Sequence, residues 1–304
     1  MSDITTALRL DAITTLQTTR TTAIYPALQP DSTYPTQAPE RVPLDYALAY
    51  HLLEGAAAAA RSCDAETLDW YRAGPSRNWS YLTTATRLGP RVVLAPTPEQ
   101  MIRTPLSETP YYVIGPRTSV APDDLAALAS SAFTHTADAG LGSLISAHAA
   151  VVCLTGHRRP YQVLRNFSIT RLPATVFTDH IGDSRVLGRE LVHEAAHNWL
   201  NDALTALQIT IPDEQVFFSP WRDTERPAFG FLHACFAFPL SMVYAARILP
   251  SAAGTTRTVL ADHLSQQRAH LTRAEHDFTQ ALGLVPNETL RHRLETVYQH
   301  ARAL

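Results

Sequence analysis

Lysine is absent from this 304-residue chain, and all 25 of its basic side chains are arginine. That excludes Schiff-base chemistry through a lysine and leaves anion binding to Arg, His, hydroxyls and backbone amides. It also weakens any single Arg as a functional signal, because Arg here must fill ordinary surface positions too. Cysteine is scarce: Cys63, Cys153 and Cys235 are odd in number, widely spaced and without a CxxC pair. This argues against a disulfide framework or a thiolate zinc site, and each reads as a small buried apolar residue. No apolar run approaches the eighteen or so residues of a membrane span, and the N-terminus lacks a basic-then-apolar signal pattern. The expectation is a cytoplasmic protein with no membrane partner. A formal charge of −3, with no basic cluster longer than His157-Arg158-Arg159, offers no field for nucleic acid.

What is present is the composition of a globular enzyme, long enough for one elaborated domain. Residues 1–42 begin with a short helix and become rich in Thr and Pro (Thr18, Thr19, Thr21, Thr22, Pro26, Pro30, Pro35, Pro39), which predicts an arm or wrapping segment. Residues 43–304 read as a single catalytic domain. Leu44 to Arg72 is helical in pattern, and Asp123 to Ala137 begins after Pro122 with acidic residues in its first turn, as a helix should. Short β-branched or aromatic runs predict strands at Arg91–Ala95, Tyr111–Ile114, Ala149–Leu154, Tyr161–Val163 and Ala174–Phe177. A loop is expected from Thr210 to Gly230, then an apolar helix from Phe231 to Leu249 kinked by Pro239, and helices at about 255–282 and 287–303. The predicted fold class is α+β, mainly helical, with a small mixed sheet beside a long metal-binding helix and the C-terminal helices.

That long helix spans Ser184 to Leu207 and carries His193-Glu194-Ala195-Ala196-His197. Two imidazoles four residues apart on a helix share a face and can grip one metal ion. Asp183 or Ser184 could cap its start, although Gly188 would allow a later start near Arg189. Val186, Leu200 and Leu204 lie beside both His on the helical wheel, so the imidazoles project into the protein. In metallopeptidases the motif Glu is the general base on metal-bound water, which makes Glu194 the candidate catalytic residue.

The third ligand decides the chemistry. A metzincin needs Gly and His where Leu200 and Ala203 stand, so that class is excluded. Glu214 and Glu225 offer a weak gluzincin-like alternative from a loop, while His233 stands on an otherwise apolar helix able to cross the motif helix. Upstream of it, Arg222 and Arg226 in Ser219-Pro220-Trp221-Arg222-Asp223-Thr224-Glu225-Arg226-Pro227 either form a carboxylate fork or join ordinary ion pairs.

Taken in order, Leu191 to His197, Ser219-Pro220-Trp221-Arg222, Arg226-Pro227 and Leu232-His233-Ala234 resemble the HExxH-type peptide β-hydroxylases, non-haem iron and 2-oxoglutarate enzymes that act on ribosomally made peptides. Leu172 to Phe177 is similar to the strand entering that family's metal helix, and the likeness covers about residues 149–245. It implies Fe(II), 2-oxoglutarate and dioxygen as cofactor system, with His193, His197 and His233 as iron ligands. It also implies Arg222, then Arg226, for the distal carboxylate, and a peptide substrate held in some cases through a leader segment. Glu194 would orient a ligand or bind metal in place of His233. The competing expectations are a zinc metallopeptidase using Glu194 as base, and a peptide-binding scaffold with a structural metal.

Overall fold

Val92, Leu94, Val151, Cys153 and Phe177 alternate along three strands with Val93, Val152, Leu154 and Val176, and all of them are buried. A sheet apolar on both faces needs covering on both. The computed structural model describes residues 4–30, 38–74, 78–104 and 107–304. In chain order it contains α1 (Ile4–Ala7), α2 (Asp11–Leu28), α3 (Val42–Arg61), α4 (Ala65–Arg72), β1 (Thr83–Thr86), β2 (Gly89–Leu94), β3 (Ile102–Thr104) and β4 (Ser107–Tyr111). There follow α5 (Asp123–Asp138), α6 (Gly142–His148), β5 (Val151–His157), β6 (Asn166–Phe167), β7 (Thr175–His180) and α7 (Ser184–Ala206). The chain ends with β8 (Val216–Ser219), β9 (Thr224–Pro227), α8 (Ala228–Ile248), α9 (Gly254–Leu282) and α10 (Glu288–Arg302). The fold is α+β and mainly helical, with a small mixed sheet.

The main sheet has the order β1-β2-β5-β7-β6. Its three inner strands β2, β5 and β7 are parallel, and the edges β1 and β6 run antiparallel to their neighbours. Val92, Leu94, Val151, Cys153 and Phe177 pack with α3 residues such as Leu44, Leu48 and Leu52. Val93, Val152, Leu154 and Val176 join the other cluster, with Leu187, Leu191, Val192 and Ala195 of α7. The metal helix therefore lies on one face of the sheet, with α5, α6 and α8 around it.

Asp183 caps α7 by accepting from the amides of Arg185 and Val186, so Gly188 is interior to the helix. Its role is close approach. A Cβ there would lie 2.3 Å from the Tyr244 hydroxyl of α8, which donates to the Arg185 carbonyl at 2.9 Å.

Four expectations need correction. Asp11 to Leu28 is a helix and not an arm; Ile13, Gln17, Thr21, Ile24 and Leu28 form its buried stripe, and the two polar members mask the 3.6-residue period in the sequence. Residues 31–37, with Pro35, lie outside the described residues. Tyr161–Val163 is not a strand: Tyr161 has a positive φ of 67°, and both ends of the trio are exposed. The strand expected at Tyr111–Ile114 ends at Tyr111 as the second arm of the β3–β4 hairpin. The loop expected at 210–230 contains the β8–β9 hairpin and the first turn of α8. Among the described residues one segment, Ala228–Ser251, is long and apolar enough to cross a membrane, yet 83% of its window is buried within the fold, as befits a core helix.

Candidate metal centre

Glu190, His193, Glu194 and His197 occupy one side of α7 at i, i+3, i+4 and i+7, so regular helix geometry alone brings them together. The Nε2 atoms of His193 and His197 are 3.2 Å apart. Two nitrogens each about 2.1 Å from one ion and subtending roughly 100° have that separation. One carboxylate oxygen of Glu194 lies 3.9 Å from His193 Nε2, and ligand atoms of His193, Glu194 and His197 all fall within 4.8 Å of one another. The other Glu194 oxygen is buried without a hydrogen-bond partner. Two imidazoles plus an unsatisfied carboxylate fit a divalent transition metal.

In the metal-free cluster burial favours the neutral form of each member, so a metal that takes Glu194 as a ligand must displace its proton. Burial pushes the Glu194 carboxyl up to about 8, with a hydrogen bond from Ser168 opposing and the charge of Glu190 adding to the rise. Burial also holds His197 down to about 4, helped by Arg226, and lowers His193 well below the usual imidazole range, with His197, His263 and Arg189 adding to the effect. Neutral imidazoles are the form a metal binds.

His233 comes to the cluster, but not beside the Nε2 pair. Its Nδ1 lies 3.0 Å from His197 Nδ1, on the far edge of that ring, and its Nε2 is buried without a partner. With His197 Nε2 turned to a metal, Nδ1 keeps the hydrogen and donates it to His233 Nδ1, which fixes the ring and its tautomer. This differs from the expected third ligand. The sequence could put His233 on a helix crossing α7 but not say which ring nitrogen it meets. Glu214 and Glu225 are exposed and do not join the cluster.

The β8–β9 hairpin carries Arg222 in its turn and Arg226 on β9. Both line a cavity of about 530 Å³ with His193, Glu194 and His197, and also a second cavity of about 470 Å³ that contains the same five residues. Neither has a carboxylate partner among the described residues. The Arg226 guanidinium lies against Gly230, 2.9 Å from where a Cβ would stand; burial and then Arg222 lower its pKa. Trp221 lines the first cavity, stacks on Phe238 at 5.0 Å with a 2° interplanar angle, and donates to Gln267 at 2.7 Å. Phe238 in turn touches the His193 ring. Phe231 and Phe236, on the same helix as Phe238, are core residues.

The sequence reading passed over several contributors. Asn166 of β6 donates to Glu190, which also pairs with Arg189. Glu190, four residues before Glu194 on the same helix, was the one detectable signal. His263 of α9 also lines the first cavity, and its Nε2 is 3.0 Å from Ser241 Oγ. No motif marks it. No protein-family model matches this chain, and a comparison with curated proteins finds no match.

Proposed function

We propose that the chain is a non-haem Fe(II)/2-oxoglutarate-dependent oxygenase that hydroxylates an unactivated carbon, the β carbon, of a residue in a ribosomally made peptide. The observation that carries this is the pair Arg222 and Arg226, two guanidiniums that have no carboxylate partner among the described residues and line the cavity that holds His193, Glu194 and His197. Hydrolysis of an internal peptide bond needs no such anion clamp, whereas a dicarboxylate co-substrate does. When bound, iron with 2-oxoglutarate and dioxygen supplies oxidative decarboxylation to succinate coupled to C–H hydroxylation.

In this reading His193 and His197 hold the ion through Nε2, and Glu194 supplies the carboxylate of a two-His-one-carboxylate set. His233 keeps the His197 ring in place from behind. Arg222 and Arg226 bind the distal carboxylate. Trp221 and Phe238 exclude water from one side of the cavity, which strengthens each polar contact within it. Free Cys153 and Cys235 in the core accord with action in the cytoplasm.

Glu194 favours a second reading, a zinc metallopeptidase. A buried carboxyl held near 8 and close to the His pair is suited to take and return a proton. The test that separates them is anaerobic titration of the Fe(II)-loaded protein with 2-oxoglutarate, followed by visible absorption and by succinate formation on admitting oxygen. Saturable binding that Arg222→Met and Arg226→Met weaken is the expected result. Absence of binding at millimolar 2-oxoglutarate, together with peptide cleavage by the zinc-loaded protein, overturns the oxygenase reading.

A further inference from the structure

The two cavities at the metal cluster share one wall. Residues 161–164 and Asn166 line the first cavity, and residues 166–171 line the second. That segment is one continuous stretch of chain with β6 at its middle, and Arg222 and Arg226 belong to both cavities. The cavities are therefore two halves of a groove that passes the His193–Glu194–His197 cluster. Exposed apolar side chains stand in both halves, Tyr161 and Val163 in one and Phe229 in the other.

Among the described residues the main chain of that wall has an unfilled hydrogen-bonding edge: β6 is the last strand of its sheet, with β7 on one side only. Its register pairs Asn166 with Thr178 and Phe167 with Phe177, and the Asp179 amide donates to the Arg165 carbonyl at 3.1 Å. In an antiparallel ladder, bonded and non-bonded pairs alternate. Arg165 and Phe167 thus face β7, and the N–H and C=O of Asn166 point away from it. Meanwhile the Asn166 side chain reaches α7, where it donates to Glu190, which holds the strand edge beside that helix.

The geometry points to strand addition: an extended peptide pairs with Asn166 on the free edge of β6 and runs through both halves of the groove, which presents one residue to the metal cluster. Main-chain pairing supplies affinity that does not depend on sequence, while Tyr161, Val163 and Phe229 meet alternate side chains. The inference rests on the reading of the site as peptide-modifying, and deepens it.

Its test uses linear random peptides of about twelve residues, spanning about 40 Å when extended, selected on immobilised, metal-loaded full-length protein. Binding of one selected peptide is then measured by fluorescence anisotropy with native protein, Asn166→Ala and Asn166→Pro. The alanine variant keeps the outward N–H and the proline variant removes it, at an edge position where proline is tolerated. The expected result is a loss of about fivefold or more in Asn166→Pro beyond that in Asn166→Ala. Should Asn166→Pro melt well below native protein, the peptide carries the test: backbone esters replacing single amides should weaken binding about fivefold at alternate positions. A flat ester scan, equal affinity for both variants, or failure to select any linear peptide overturns strand addition. The oxygenase reading is judged apart, since 2-oxoglutarate binding is measured without peptide. Strand-mode binding in a protein that ignores 2-oxoglutarate leaves this inference standing and removes the other.

Discussion

His197 Nδ1 lies 3.0 Å from His233 Nδ1, while its opposite nitrogen lies 3.2 Å from His193 Nε2. One imidazole thus has a histidine at each of its two nitrogens, and in the proposed reading the two neighbours have different roles that separate on mutation. His233→Ala should weaken metal binding by about 10- to 100-fold, the usual cost of losing a hydrogen bond that orients a ligand. His193→Ala should abolish stoichiometric binding. Competition against a chromophoric chelator reads both, and equal loss in the two variants would make His233 a direct ligand.

Glu194 gives a pH-dependent prediction for the metal-free protein. Its folded-state pKa of about 8 stands above the ordinary value of 4.5, so the folded state holds its proton longer than the unfolded state. The stability this group permits is intact below about 4.5 and is lost as pH rises through about 8. Glu194→Gln removes the dependence. Urea unfolding should show the variant gaining on native protein between pH 5 and pH 8, by on the order of a few kcal/mol; a constant difference across that range would contradict the assignment.

Arg222→Met and Arg226→Met should each raise the Kd for 2-oxoglutarate by about 10- to 100-fold, the range for a lost charge-assisted hydrogen bond. The larger effect belongs to Arg226, which is half-buried whereas Arg222 is exposed. Gly230→Ala tests the same clamp without touching it. The new Cβ would stand 2.9 Å from the end of Arg226, so the flexible guanidinium moves and affinity falls while the fold stays intact. Calorimetric titration and a thermal melt on the same sample decide this.

Gly188→Ala should destabilise the protein by about 1–3 kcal/mol, because its Cβ would stand 2.3 Å from the buried Tyr244 hydroxyl. Tyr244→Phe removes the clashing oxygen, so the double variant should lose less than the sum of the two singles in a urea-unfolding cycle. Additivity would place the strain elsewhere.

The motif helix was legible because its information is local. Asp183, the apolar positions from Val186 to Leu204 and the four-residue spacing of the imidazoles all lie within a few turns of one another. The inner strands were legible for the same reason. Asp11–Leu28 was not, since its buried stripe includes Gln17 and Thr21: Gln17 is explained only by a partner far along the chain, Asp202 at 3.4 Å, and Thr21 turns its hydroxyl back onto the Gln17 carbonyl at 2.8 Å. The β8–β9 hairpin was hidden too, because the polar run Thr224 to Arg226 looks like loop until Val216–Ser219 pairs with it.

The sequence by itself determined that His193, Glu194 and His197 would meet, since helix periodicity guarantees it wherever the helix packs. Only the tertiary structure decided that His233 meets His197 on the other side of its ring, that two arginines with no carboxylate partner among the described residues line the cavity at the cluster, and that a strand edge with no neighbour among those residues runs beside it. Each of those depends on how α8, the hairpin and β6 dock on α7. Docking is settled by packing between residues distant in sequence, such as Gly188 against Tyr244 and Asn166 against Glu190, and no short window of sequence contains both members of such a pair.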